Sequence, residues 1–276
     1  MIFVTGATGN AGGAVVRALL AGEQPVRALV RAGRESAVPA GVEPVVGDLN
    51  RPETFADALV GARGAFLLSG YERMRELLDQ VRVAGVDRVV LLSSSAAPGG
   101  DMSNAVARYH ILSERAVRES RLPWTFLQPN SLMSNALRWL PQLRQGDLVR
   151  APFADVAIAT IDPADLAAVA VKALTTDELQ GGSLRLSGPE ALYPADQVRM
   201  LGAALGRELR FEAQTNEHAR EEMGAAMPAE YVEAFFSFFV DGTIDETTVL
   251  PTVRDVLGRE PGTFEAWAAA NAGSFR

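Results

Sequence analysis

The first thirteen residues constrain the fold more than any other stretch. Ile2, Phe3 and Val4 form a short β-rich run, Gly6, Gly9 and Gly12 follow at three-residue spacing, and Ala14 to Leu20 then carry apolar side chains at helical period. Strand, tight turn and helix start in immediate succession predict a βα unit whose glycines let the backbone pass close to a bound group. The free N–H groups and positive dipole end of the helix start suit an anion, above all a dinucleotide pyrophosphate. The turn reads Gly-x-x-Gly-x-x-Gly rather than the stricter Gly-x-Gly-x-x-Gly, and its candidate phosphate contacts are Gly6, Thr8, Gly9, Asn10, Ala11 and Gly12.

The alternation begun there continues. Strand candidates at 1–5, 25–30, 43–47, 64–69, 87–92 and 123–128 are separated by helix candidates at 11–22, 52–60, 71–84 and 103–120. Pro52 suits a first helical turn and Gly85 a helix stop. This predicts an α/β chain built on a Rossmann-like, doubly wound parallel sheet, with residues 1–130 as a nucleotide-binding core. Beyond Asn130 the pattern loosens to a short strand near 156–160, a helix at 163–175, a strand at 183–187 and helices including 195–205 and 235–239. Residues 131–276 are therefore expected to form a small mixed C-terminal lobe on the substrate side, with segments returning to the sheet. Ala234 to Val240 is the most aromatic stretch and reads either as pocket lining or as plain core packing.

Charge and composition remove whole classes of function. A net charge of −8 with no basic stripe argues against direct contact with nucleic acid. The chain has no cysteine and only two histidines, His110 and His218, so neither disulfides, a thiol nucleophile nor a metal centre is expected. No run of about 18 apolar residues is present and no signal-peptide pattern opens the sequence, which predicts a cytoplasmic protein without membrane contact. A monomer or homodimer is expected.

Ligands in such sheets lie beyond the C-terminal strand ends. Where an NAD site places an acid at the end of the second strand, this chain has Arg31, with Arg34 close behind and no carboxylate in Pro25–Arg34. Guanidinium groups there would welcome a 2′-phosphate, so NADP(H) is the expected cofactor, the alternative being that both are solvated loop charges. Gly47-Asp48-Leu49 follows the third strand, where Asp48 suits an adenine amino group or a helix cap. Leu68-Ser69-Gly70 and Ser93-Ser94-Ser95 end the fourth and fifth strands with small polar residues, as a ribose and nicotinamide edge or a simple solvent-exposed turn would require.

These residues, with His110-Ile-Leu-Ser-Glu114, Leu122-Pro-Trp-Thr-Phe-Leu-Gln-Pro-Asn130 and Ile161-Asp-Pro-Ala-Asp165, resemble the NmrA-like, NAD(P)H-binding branch of the atypical short-chain dehydrogenases/reductases. The resemblance spans nearly the whole chain and is nearest in function to NADPH-dependent quinone oxidoreductases and redox-sensing regulators. It implies a Rossmann fold, NADP(H) preference and a cleft beside the C-terminal lobe. The chain also departs from the pattern. The superfamily's Tyr-x-x-x-Lys pair, which supplies a proton, is represented by Val106 and His110, and the residue before Pro129 is Gln128 where the family usually has Arg.

His110 has three readings: contact with the nicotinamide ribose, proton supply to a reduced oxygen, or a structural hydrogen bond, for instance to Glu114 one turn along. Asn130 is the better candidate for lining the nicotinamide end. Tyr71, Trp139 and Phe153 are candidates to stack on a planar substrate, or are ordinary packing. Two functions fit. One is hydride transfer from NADPH to a quinone-like or conjugated carbonyl acceptor, whose delocalised anion needs no dedicated tyrosine. The other is a non-catalytic NADP(H) sensor that regulates a protein partner.

Overall fold

The structure, a computed structural model, describes residues 1–275. In chain order its elements are β1 (Ile2–Val4), α1 (Asn10–Ala21), β2 (Val26–Val30), β3 (Val42–Val46), β4 (Gly64–Leu68), α2 (Met74–Val83), β5 (Arg88–Leu92), α3 (Ala105–Glu119) and β6 (Trp124–Pro129). There follow α4 (Leu140–Leu143), β7 (Leu148–Ala151), α5 (Pro163–Thr175), β8 (Ser183–Leu186), α6 (Pro194–Leu205), β9 (Arg210–Ala213), α7 (Asn216–Ala226), α8 (Ala229–Phe239), α9 (Thr252–Leu257) and α10 (Phe264–Asn271).

Seven strands form one sheet in the order β3-β2-β1-β4-β5-β6-β8. Pairing is parallel from β3 across to β6, with Phe3 opposite Arg27 on one side and Ala65 on the other. The expected Rossmann-like sheet is therefore present, its order reversing direction between β1 and β4. Parallel strands covered on both faces need unbroken apolar runs, and Phe3-Val4, Ala28-Leu29-Val30, Ala65-Phe66-Leu67 and Val89-Val90-Leu91 are all buried. One apolar cluster joins Phe3, Leu29 and Leu67 of the sheet to Leu77, Leu78 and Val81 of α2 and Val117 of α3.

The chain divides into two compact units. One comprises residues 1–100, 108–129 and 163–185, and the other residues 101–107, 130–162 and 186–276. The first contains the sheet with α1, α2 and α5. The second contains a two-stranded parallel sheet of β7 and β9 and a core of Trp139, Val149, Leu201, Phe264 and Trp267.

Two expected elements take other forms. The helix expected at 52–60 is two 3₁₀ turns, Pro52–Thr54 and Ala56–Leu59. The Thr54 hydroxyl donates to the Arg51 carbonyl, and Phe55 between the turns has φ −139°, so no α-helical turn is nucleated. At 156–160 only a bridge between Ile158 and Leu192 forms.

Candidate functional site

The site is built at the reversal between β1 and β4. Thr5 ties the two strand ends together, its hydroxyl donating to the Phe66 carbonyl at 3.1 Å and accepting from the Leu68 N–H at 3.1 Å. Gly6 then takes φ +65°, and a Cβ on it would lie 2.6 Å from Leu68 Cδ1. Gly12 is the tighter position: a Cβ there would sit 2.3 Å from the Gly6 carbonyl oxygen and 2.9 Å from that of Thr5. Helix α1 therefore lies directly against the turn, an approach that excludes every side chain at residue 12.

The start of α1 is left open. Its N-cap is Gly9 in extended conformation, with no side-chain cap and no acidic residue in the first turn. Thr8, Gly9 and Asn10 are exposed, while Ala11 and Gly12 are buried beneath them. An exposed, uncapped helix start with no carboxylate to compete is suited to an anion.

At the end of β2, Arg31 and Arg34 are exposed, and neither makes an ion pair among the described residues. Arg27, earlier on the strand, is committed to structure: it donates to the Ala58 carbonyl at 2.6 Å and pairs with Glu43 at 2.9 Å. Asp48 accepts the Asn50 N–H at 2.9 Å, closing its own turn, and its other oxygen lies 3.7 Å from Arg51. Leu49 is buried in the apolar cluster beside Phe55, which leaves only its backbone to face a ligand. Burial raises the half-buried Tyr71 phenol, the Arg31 guanidinium opposing that shift and Asp48 adding to it. Tyr71 therefore shares an electrostatic neighbourhood with both residues, a link that sequence spacing gave no means of finding.

Ser69 and Ser93 close the rim on the other side. The Ser69 hydroxyl donates to the Leu92 carbonyl at 2.8 Å, joining the ends of β4 and β5. The buried Ser93 donates to Glu114 Oε1 at 2.6 Å, and Gln128 donates to the same oxygen at 2.7 Å. Arg118, one turn along α3, reaches Glu114 Oε2 at 3.1 Å and lies 4.6 Å from the Phe126 ring centre. Glu114 is thus a buried hub for the ends of β5 and β6, and its cation comes from position 118 while position 128 supplies a neutral amide. Ser113 acts similarly, accepting the Gly70 N–H at 3.0 Å and donating to the Tyr109 carbonyl at 2.8 Å.

His110 does not bond to Glu114, whose donors are Ser93, Gln128 and Arg118. It is buried, its Nδ1 has no hydrogen-bond partner, and its ring lies 4.2 Å from that of Tyr109. Burial pushes the imidazole down to about 3. Burial thus favours the neutral imidazole near pH 7.

In the second unit, the buried Asn130 amide donates to the carbonyls of Ala159 at 3.4 Å and Glu246 at 3.1 Å, leaving Oδ1 unpartnered. Its amide group therefore holds two loops of that unit together. Trp139 is 2% exposed within the apolar core, which rules it out as a stacking surface, whereas Phe153 is half-buried. Among the described residues no group of acids and histidines is arranged to hold a metal ion, and no helix is long and apolar enough to cross a membrane.

A Rossmann sheet with an open, glycine-lined helix start at its reversal defines a dinucleotide-binding protein. The model of the NAD(P)H-binding family matches residues 6–177, and the chain belongs to that family. It is 38% identical to the (4-alkanoyl-5-oxo-2,5-dihydrofuran-3-yl)methyl phosphate reductase of Streptomyces griseus, covering 100% of this chain and 99% of the relative. It is 35% identical to the NAD(P)H azoreductase of Xenophilus azovorans, with the same coverage. Among solved structures, the NADPH-dependent quinone oxidoreductase of Escherichia coli superposes with a TM-score of 0.79 at 20% identity, covering 98% of this chain and 99% of that one.

Proposed function

We propose that this protein is an NADP(H)-dependent reductase that delivers hydride to a flat, conjugated acceptor such as a quinone. The observation that carries the reading is the turn at Gly6–Gly12, where helix α1 is set so close to the backbone that only glycine fits at residue 12. The full-length relatives that act as reductases on a butenolide phosphate and on azo compounds favour a conjugated acceptor over a simple alcohol or sugar.

The bound cofactor would supply the hydride, and the chain supplies binding, orientation and electrostatics. Gly6, Thr8, Gly9, Asn10, Ala11 and Gly12 would hold the pyrophosphate. Arg31 and Arg34, with no carboxylate to neutralise them, would bind the 2′-phosphate that distinguishes NADP from NAD. Asp48 and the backbone of Leu49 would border the adenine, and Leu68 and Ser69 the central ribose edge. His110, neutral and with a free Nδ1, would contact the nicotinamide ribose. Ser93, its proton given to Glu114, keeps only acceptor capacity towards the cofactor, and Asn130 would border the nicotinamide end through Oδ1. With Val106 and His110 in place of the tyrosine and lysine, protonation of the reduced acceptor falls to solvent. A delocalised product anion tolerates this, which is why the acceptor is taken to be conjugated.

Stopped-flow mixing of the NADPH-loaded protein with a panel of quinones and azo compounds tests the reading. Single-turnover loss of NADPH absorbance with at least one acceptor is expected. Tight NADPH binding without transfer to any of them would overturn the enzymatic assignment and favour a sensor.

A further inference from the structure

Phe153 sits where an aromatic residue is least comfortable. Its φ is +57°, in the left-handed region that glycine and asparagine enter easily and bulky side chains avoid. The residue begins a turn closed by the Val156 N–H donating to its carbonyl at 3.0 Å. Asparagine or glycine would make that turn without strain, so the ring is kept against the preference of the backbone.

Its surroundings show what the ring is held against. Phe153 meets Phe236 edge-on, with centroids 5.2 Å apart and planes at 72°, and Phe239 at 5.1 Å and 45°. Phe236 is buried, while Phe153, Phe239, Met223 and Met227 are only half-buried around it. Among the described residues, the cation on these rings, Arg220 over Phe236 at 3.8 Å, is paired with Glu233. Half-buried aromatic rings and thioethers make a soft, polarisable and adaptable surface, complementary to an uncharged flat ring.

We infer that Phe153 is a specificity-determining residue of this protein, its strained backbone presenting the ring as the face on which an uncharged, planar conjugated acceptor docks. The inference rests on the reductase reading for the identity of the occupant. It concerns docking on α7, α8 and the turn after β7, and involves no bond making.

Equilibrium binding of 1,4-naphthoquinone to the NADP⁺-loaded protein, which cannot reduce it, separates docking from turnover. Phe153→Gly should weaken naphthoquinone at least tenfold while the affinity for NADP⁺ stays within twofold of wild type. Phe153→Leu keeps volume and the backbone strain but removes the π face; it should also weaken the quinone several-fold and covers the case in which the glycine variant does not fold. Phe153→Tyr should restore binding. Wild-type protein that binds the quinone in a Phe153-dependent way without reducing it would leave this inference standing and defeat the reductase reading. No binding by wild type, or unchanged binding in folded Gly or Leu variants, would overturn it.

Discussion

Gly12→Ala isolates the geometry on which the functional reading depends. The added Cβ would be 2.3 Å from the Gly6 oxygen, 2.6 Å from the Gly6 carbonyl carbon and 2.9 Å from the Thr5 oxygen. All three are backbone atoms, so no rotamer change relieves the contact. The turn and helix α1 must separate by about 1 Å to reach ordinary contact near 3.4 Å. Overpacking of this kind costs about 1–3 kcal/mol, and a backbone obstacle places the expected cost near the top of that range. For a chain of this size that corresponds to a fall in Tm of roughly 6–12 °C. The same separation moves the helix N–H groups from the pyrophosphate; losing one or two charge-assisted bonds of about 1.5–3 kcal/mol raises the NADPH Kd by about tenfold to well over a hundredfold. Gly9→Ala meets only the Gly6 oxygen, at 3.3 Å, and Gly146→Ala meets nothing within 4 Å, so the series is graded. Differential scanning fluorimetry with and without NADPH, together with NADPH fluorescence titration, measures both quantities. Gly12→Ala protein melting within about 2 °C of wild type and binding NADPH within about threefold would refute the steric reasoning.

Arg31→Ala should weaken NADPH by about 1.5–3 kcal/mol and leave NADH nearly untouched; equal losses for both in parallel titrations would remove the basis for the NADP assignment. For His110, the folded value of about 3 lies below the ordinary 6.5, so between these pH values the unfolded chain holds the extra proton. Stability is complete above pH 6.5 and falls as pH drops through that window, by about 1.4 kcal/mol per unit. His110→Gln should flatten the urea-unfolding profile between pH 6.5 and 4, and an unchanged slope would show that burial of the imidazole is not its source. Glu114→Gln replaces the shared acceptor of Ser93, Gln128 and Arg118 and strands part of the Arg118 charge. A cost of about 2–3 kcal/mol in urea unfolding is expected, since one partner of the ion pair is buried and the other half-exposed; a loss under about 0.5 kcal/mol would mean the hub is dispensable.

The sheet was readable from the sequence because its order follows from local signals. Short buried apolar runs such as Ala28-Leu29-Val30 and Val89-Val90-Leu91 alternate with amphipathic stretches, and Gly6, Gly9 and Gly12 mark the turn after the first of the strands. Residues 52–60 misled because their spacing is helical while the competition between Thr54 and the backbone is decided by hydrogen bonds within the turn. The side-chain networks were less legible. Glu114 stands 21 residues from Ser93 and 14 from Gln128, and nothing in spacing says that one oxygen accepts from both. Nor does the sequence separate Trp139, sealed in a core, from Phe153, strained and half-buried: both read as isolated aromatics until φ and burial are known.

The departures at Val106, His110 and Gln128 acquire a common physical sense. With a neutral Gln128, the buried Glu114 carboxylate would be stranded at a cost of several kcal/mol were Arg118 not within 3.1 Å to balance its charge. The ends of β5 and β6 are held through Glu114, whose cation stands on the half-exposed face of α3. At position 110, which the proposed reading sets at the lysine of a Tyr-x-x-x-Lys pair, burial favours the neutral imidazole. A neutral imidazole cannot lower a neighbouring phenol's pKa, and Val106 offers no phenol to lower. On the proposed assignment of Val106 and His110 to the relay positions, both halves of the relay would be absent together, while the tight glycine turn and the hydrogen bonds at the strand ends are kept. On the reductase reading proposed above, hydride transfer would then need placement alone, a requirement that favours an acceptor able to stabilise its own negative charge.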